Sequence, residues 1–473
     1  MFFFLLPTVL FATLSTSSLQ IVPGASITAT GTNQHLQAHG GSITYTNGLY
    51  YLIGENKLNG SAFQSINCYS SADLVEWAFV NKLLSVGGSG GDLGTGRVVE
   101  RPHVLWNEGT GEWVMWMHID DSSYGEAKAG VATSDSICGT YSYIGSSQPL
   151  GFQSRDLNVF KDTDGTGYLL TEDRVNGLRI DKLSSDYLTV DSATYLWANP
   201  ASFEASAIYK SGSTYFSFAS HESGWAPNDN VYCTATSLSG PWSSWALFAP
   251  SGTDTYSSQT AGVVEVDGTV MYFDTFLSSN QTSKQYRVVL TRNRYMGDRW
   301  VSTNLMRSTY VWLPLTLSGT TATLNNEVNW ILNSNSWSTG PSETTPEAEA
   351  STNTLSGGAE AIACSGCSGS KSIGYIGGSP GGKLLFPNIS SSVATTTTIR
   401  IHYTNADASQ RYASVVVNGV RHVVAFIPTP DDNTPGTATL TVPLNSGSAN
   451  TVEFEAYNGG WAPNIDRLMV PVS

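Results

Sequence analysis

The chain has 473 residues, of which only 13% are charged, and 38 acidic against 23 basic side chains give a net charge of -15. With no Lys/Arg cluster to form a phosphate-binding face, nucleic acid and anionic membranes are poor partners, and a neutral ligand is favoured. The length allows two or three domains, and the wealth of Ser, Thr, Gly and aromatic residues suits an all-β fold.

Phe2 to Leu14 form an apolar run followed by the small residues Ser15-Thr16-Ser17-Ser18. The run is too short to span a bilayer, which needs ~20 residues, so residues 1–19 are expected to be a signal peptide and the protein to be secreted and extracellular. Sequons at Asn59, Asn280 and Asn388 fit a glycoprotein.

From residue 20 to 335 short strands and turns alternate, with almost no sustained 3.6-residue period. Turn glycines at Gly48, Gly111, Gly165, Gly212 and Gly268 each precede an apolar returning strand, at intervals of 63, 54, 47 and 56 residues. A polar residue stands eight to eleven positions before each one: His39, Glu100, Asp156, Glu204 and Gln259. Repeats of about 50 residues with four strands each predict a five-bladed β-propeller, and matching positions in five blades should aim these groups at one axis. Trp300 to Leu332 is expected to close or buttress the last blade. Residues 336–346 read as a polar, Pro-containing linker, and 347–473, with alternating strands such as Tyr412 to Val417 and turns such as Asn418-Gly419, as a β-sandwich. Cys68, Cys138 and Cys233 are expected to be buried free thiols, and Cys364 and Cys367 a small local disulfide. The run Asp162 to Gly167 is read as a hairpin turn rather than a calcium loop.

Two or three carboxylates on a propeller axis suit cleavage of a glycosidic bond, with one acid protonating the leaving oxygen and another group activating or positioning water. Glu204 has the best surroundings for staying protonated. Phe203, Ala205 and Ala207 would desolvate it, and Asp156 and Glu100 would oppose a further negative charge. Glu100 and Asp156 are expected to contact sugar; strand neighbours point to opposite faces, which argues against a simple Glu100–Arg101 ion pair. Glu55, Tyr124, Asn176 and Trp225 complete the expected substrate contacts. The pentapeptide Gly224-Trp225-Ala226-Pro227-Asn228 recurs as Gly460-Trp461-Ala462-Pro463-Asn464, by coincidence or as a second sugar platform.

The stretches Val98-Val99-Glu100-Arg101-Pro102-His103-Val104, Gln153-Ser154-Arg155-Asp156, Phe203-Glu204-Ala205, Ser220 to Trp225 and Ser258-Gln259-Thr260 resemble glycoside hydrolase family 43, in its exo-β-1,3-galactanase branch. The resemblance implies a five-bladed propeller, inversion of configuration, Glu204 as general acid and no cofactor for catalysis. The stretch Gln37 to Gly41 lacks the base Asp of most family members, and by resemblance Gln259 would hold the attacking water, opposite Glu204 and ~6.5–9.5 Å from it as inversion requires. A neutral amide orients water but is no ordinary base, so either an imidic tautomer of Gln259 acts or Glu100, Glu55 or His39 takes the proton. The implied activity is release of galactose from β-1,3-galactan by a monomer. The alternatives are an arabinofuranosidase or β-xylosidase, and a lectin without catalysis.

The C-terminal part is similar to a family 35 carbohydrate-binding module through Glu347-Ala348-Glu349, Cys364 to Ile376 and Asn464-Ile465-Asp466-Arg467-Leu468. That resemblance implies a structural calcium on Glu347, Glu349 and Asp466, and sugar binding by Tyr403, Asn405, Asp407, Trp461 and Asn464.

Overall fold

The computed structural model describes residues 19–472 except 89, 199–201, 266–292, 334–335 and 393. The signal segment, the sequon at Asn280 and the hairpin at Gly268 therefore lie outside the described residues. No helix among those described is long and apolar enough to cross a membrane.

Five four-stranded antiparallel sheets follow one another in the chain. The first holds His39–Thr46, Leu49–Glu55, Ser65–Ser71 and Ala78–Ser85; the second Val98–Asn107, Glu112–Asp120, Lys128–Ser134 and Ser142–Ser147. The third holds Leu157–Lys161, Gly167–Asp173, Gly177–Leu183 and Val190–Ala198; the fourth Phe203–Ser211, Thr214–His221, Val231–Ala235 and Ala246–Leu247. In the fifth, Gln259–Glu265 pairs with Asn293–Arg299, and Thr309–Ser318 and Thr321–Leu324 complete the sheet. The region from Trp300 to Leu332 thus supplies the outer strands of the last blade, as well as Trp330–Asn333, which pairs with Gln20–Ile21. The first strand of each sheet packs against the first strands of its neighbours, and that of the fifth returns to that of the first. This closed ring is a five-bladed propeller, whose radial repetition leaves only short edges.

Four of the five inner strands carry a bulge just after their polar residue, between His39 and Ser42, Glu100 and His103, Glu204 and Ala207, and Thr260 and Gly262. A bulge inserts an unpaired residue and re-aims the side chains around it. Gly40 shows why glycine is needed there: its φ is 59°, and a Cβ would come within 2.3 Å of Glu55 Oε1.

The second unit stacks two sheets. One contains Glu360–Ala363, Lys371–Gly374, Asn464–Pro471, Thr395–Thr404 and Gly436–Leu444; the other Thr354–Ser356, Lys383–Ser391, Gly447–Ala456, Arg411–Val417 and Val420–Phe426. Their facing side chains, Phe386, Phe426, Phe454, Ile401 and Val415 among them, form one buried core, as in a β-sandwich. The expected linker is pinned at both ends. Ser336–Thr339 pairs with Trp330–Asn333, and Glu343–Thr344 with the strand Asn464–Pro471.

Two of the three expected free thiols are bonded to each other. Cys68 and Cys138 form a disulfide with a Cα–Cα distance of 5.7 Å, leaving Cys233 as the buried free thiol. They lie far apart in sequence, and only the packing of the second blade against the first makes them neighbours. Cys364–Cys367 is bridged as expected. Closing a loop across 70 residues restricts the unfolded chain far more than closing one across 3. Replacing Cys68 and Cys138 by Ser should lower unfolding free energy by about 2–4 kcal/mol in denaturant titration, and replacing the local pair should cost less.

Candidate active site

A cavity of about 340 Å³ opens on the propeller axis, lined by Glu55, Glu100, Arg101, Tyr124, Asp156, Arg174, Glu204, Trp225, Gln259 and Trp300 among others. The structure thus gathers seven of the expected residues: Glu55, Glu100, Tyr124, Asp156, Glu204, Trp225 and Gln259. Asn176 does not line it; its side chain donates to Asp173 in the adjacent turn.

Arg101 is the residue that strand alternation missed. Its φ of 51° within the bulge turns it toward the cavity together with Glu100, although the two are sequence neighbours. One guanidinium nitrogen lies 3.0 Å from Asp156 Oδ2 and donates to Gln259 Oε1 at 2.6 Å; the other donates to the Thr260 carbonyl at 2.8 Å. The backbone N–H of Arg101 donates to Glu55 Oε1 at 2.9 Å. One buried cation therefore ties together the inner-strand segments of three blades, the second, third and fifth, and the second strand of the first blade.

Gln259 stands closer to Glu204 than the expected separation. Its Nε2 donates to Glu204 Oε1 at 2.8 Å and to Ser220 Oγ at 3.2 Å, while its Oε1 accepts from Arg101 and, at 3.0 Å, from Trp300 Nε1. Arginine and indole nitrogens can only donate, so the amide orientation is fixed by its partners. The two residues meet because they open neighbouring inner strands, Phe203–Ser211 and Gln259–Glu265.

His39 does not reach the cavity. The bulge at Gly40-Gly41 leaves it fully buried, with Nδ1 3.1 Å from Asp298 Oδ1 and its ring stacked on Tyr310. The neighbouring Gln37 accepts from the Lys57 backbone N–H. The place next to Gly40 is filled instead by Glu55, which arrives from the second strand.

Glu100 and Glu204 sit at opposite electrostatic extremes. Burial works against the charge of Glu100, but Lys57 at 3.3 Å, His118 at 3.5 Å and the Tyr124 hydroxyl at 3.1 Å bring its pKa down to about 2. Burial raises Glu204, Asp156 and Glu172 raise it further, and the more distant Arg101 and Arg174 only partly oppose them, so it reaches about 9. Burial and Glu100 lift Glu55 to about 7 against the opposing Lys57, 2.7 Å away. Glu172, which the sequence reading did not select, is buried beside Asp156 and is likewise lifted to about 7. Asp156, Glu172 and Glu204 each bring one carboxylate oxygen within 4.8 Å of the others, and Glu100, His118 and Asp156 bring together one ligand atom each in the same way. Both are oxygen-rich donor sets of the kind that hold a cation, and Arg101, Arg174 and Lys57 already balance their charge.

At the rim Trp225 is partly exposed and packs edge-on against Trp300, with ring centroids 5.3 Å apart. Of the expected module residues, Tyr403 and Asn405 are fully buried, Tyr403 in the sandwich core and Asn405 donating to the Ser409 and Phe426 carbonyls. Neither can touch a polymer as placed. Tyr403 lies on the strand Thr395–Thr404 facing inward, where side chains pack rather than project, and Asn405 follows the strand's last residue with its amide spent on backbone carbonyls. Asp407 pairs with Arg411, Asn464 donates to Thr404 and Asp432, and Trp461 is 44% exposed beside the more open Tyr375.

In the folded chain Glu204 keeps its proton up to about pH 9, whereas in the unfolded chain it ionises in the ordinary carboxylate range. Its contribution to stability is therefore full at low pH and is lost as pH rises from that range toward 9. A neutral isostere escapes the loss. Glu204→Gln should raise the thermal midpoint over wild type by at least about 3 °C at pH 8, with the gap shrinking toward pH 4.

The geometry agrees with comparison to known proteins. The family model described as glycosyl hydrolases family 43 matches residues 36–301. A second, described as Alpha-galactosidase, CBM13 domain, matches 384–470, where the sequence resembles a family 35 module. The chain thus carries a C-terminal carbohydrate-binding module. The exo-beta-1,3-galactanase of Phanerochaete chrysosporium solved with galactose is 35% identical, over 95% of this chain and 100% of that one, with a TM-score of 0.63. A Glu-to-Gln variant of the same enzyme, solved with beta-1,3-galactotriose, is 34% identical over 96% and 100%, with a TM-score of 0.64. A family 43 beta-1,3-galactosidase solved with galactodeoxynojirimycin is 26% identical over 66% and 100%, with a TM-score of 0.58. Comparison with curated protein sequences gave no match. With the family model spanning more than half of its length, and a galactanase structure matched along nearly all of it, this chain belongs to family 43 of the glycosyl hydrolases.

Proposed function

We propose that this protein is a secreted exo-acting hydrolase that removes galactose from the end of β-1,3-galactan with inversion. The observation that carries the reading is Glu204, a carboxylic acid kept protonated to about pH 9 in the wall of the axial pocket. Such a group is the proton donor that departure of a glycosidic oxygen needs. The galactanases similar to this chain supply the substrate class.

A pyranose entering the pocket replaces the hydrogen bond between Gln259 and Glu204. The acid is then free for the glycosidic oxygen and the amide for the water on the other face, and the two move apart as an inverting pair requires. Arg101 holds the Gln259 carbonyl as the ring enters, and Asp156 and Glu100 take sugar hydroxyls. Glu55, lifted to about 7 and lining the same cavity, is the carboxylate best matched to accept the water's proton near neutral pH.

Residues 1–19 serve as the signal peptide, and the exposed Asn59 and Asn388 as glycan acceptors. Residues 20–335 form the catalytic domain, and 347–473 the binding module, which tethers the enzyme to polymer through Trp461 and raises local substrate concentration. A calcium ion suits Glu347, Glu349 and Asp466. Each keeps one buried carboxylate oxygen without a hydrogen-bond partner, while Ser368 bonds to Glu347 and Asp466, and Gly369 approaches Glu349. Three such oxygens around one loop make the hard-ligand set that ion prefers.

Glu204→Gln should cut galactose release from β-1,3-galactan by about 10²–10⁴-fold while polymer still binds, and wild-type kcat/KM should fall above about pH 9. NMR of the first product should show α-galactose; β-galactose would sink the inverting mechanism. Chelation by EDTA should lower the unfolding midpoint of the full chain and added calcium restore it, and Glu349→Gln should abolish that response.

A further inference from the structure

The pocket residues sit at the starts of the inner strands; the ends of those strands form the opposite face of the propeller. There the first two blades enclose a second cavity of about 740 Å³, more than twice the axial one. One wall is a cross-strand aromatic pair on the second hairpin, Trp106 facing Trp113 with ring centroids 5.4 Å apart, and Tyr45 and Tyr51 line the cavity from the first hairpin. Tyr45 is 48% exposed, and Tyr51, Trp106 and Trp113 are half-buried and line the same space.

Its polar groups narrow the occupant. Lys161 is committed to Glu108 at 2.5 Å and to the Trp106 carbonyl, so the cavity offers no free cation for a phosphate or a polyanion. Exposed Asn47 and Asp135 edge the rings with hydrogen-bonding groups. Covering this surface with a purely apolar helix would take the Asp135 carboxylate out of water without a partner, which disfavours that occupant. A pyranose chain presents what fits: flat C–H faces for rings and hydroxyls for the amide and carboxylate.

We propose that this face binds an internal stretch of the same neutral polysaccharide, several residues of β-1,3-galactan, as a second hold distinct from both the catalytic pocket and the C-terminal module. The inference rests on the galactanase reading for the identity of the polymer. It makes the propeller itself a binder of polymer, and not only of chain ends.

Hydrogen–deuterium exchange of the full chain with long β-1,3-galactan and with β-1,3-galactobiose should separate the sites. Protection over residues 44–51 and 105–113 is expected with the polymer only; its absence overturns the proposal. Affinity electrophoresis in galactan gels gives the second reading. In full-length protein carrying Trp461→Ala to weaken the module, Tyr45→Ala should reduce retention by about fivefold to tenfold against the Trp461→Ala parent. Equal retention would overturn it. A wild type that releases no galactose from this polymer would instead refute the galactanase reading.

Discussion

Four carboxyl groups, Glu55, Glu100, Asp156 and Glu204, line one partly enclosed space with a fifth, Glu172, close behind Asp156 and Glu204, and they cannot all carry charge there. The molecule resolves this by placing its cations unevenly. Lys57 and His118 stand against Glu100, Arg101 against Asp156, and Arg174 against Glu172. Glu204 is left with the weakest compensation, its nearest cation being Arg174 at 3.9 Å. One carboxylate is thus firmly ionised and another firmly protonated within the same cavity, the separation by which a site divides binding from acid catalysis. The cost is a centre under electrostatic stress, offset by the large apolar cores of the blades.

Arg101 is where that division meets the fold. A regular strand would have sent it away from Glu100, and a single bulge brings both to the cavity. Related irregularities at Gly40 and Ala205 free neighbouring positions from strict alternation. A rigid ring of strands supplies the frame, and one unpaired residue in four of the five inner strands supplies the aim. Gln259, held from one side by Arg101 and Trp300 and bonded on the other to Glu204, couples the cation to the acid.

The C-terminal module is joined to the propeller by more than the covalent chain. Ser26 pairs with Ala438, Thr28 accepts from the Ala425 backbone, and Gln20 bonds to Thr398 through both its backbone and its side chain. His35 and Asn304 add contacts to Gln410 and Ala408. The segment after residue 19 therefore works as a shared seam, pairing with Trp330–Asn333 on one side and with the sandwich on the other. Polymer captured by an enzyme so joined meets a fixed arrangement of surfaces instead of a freely swinging tether.

Repeat length, turn glycines and recurring polar positions were legible in the sequence, because a propeller writes each blade as a local unit whose strands pair with their neighbours in the chain. Composition and alternation were likewise enough for an all-β fold and for Glu204 as a carboxyl shielded from water, since its apolar neighbours are adjacent in sequence. What tertiary structure alone decided are the features that join distant segments. The Cys68–Cys138 bridge, the retreat of His39 toward Asp298, the entry of Arg101, Arg174 and Trp300, the approach of Glu172 to Glu204, and the burial of Tyr403 and Asn405 all depend on which blade or sheet packs beside which. Period-two reasoning fails at a bulge because one extra residue reverses the facing of the side chains around it, and nothing in the neighbouring letters announces where a strand takes that residue in.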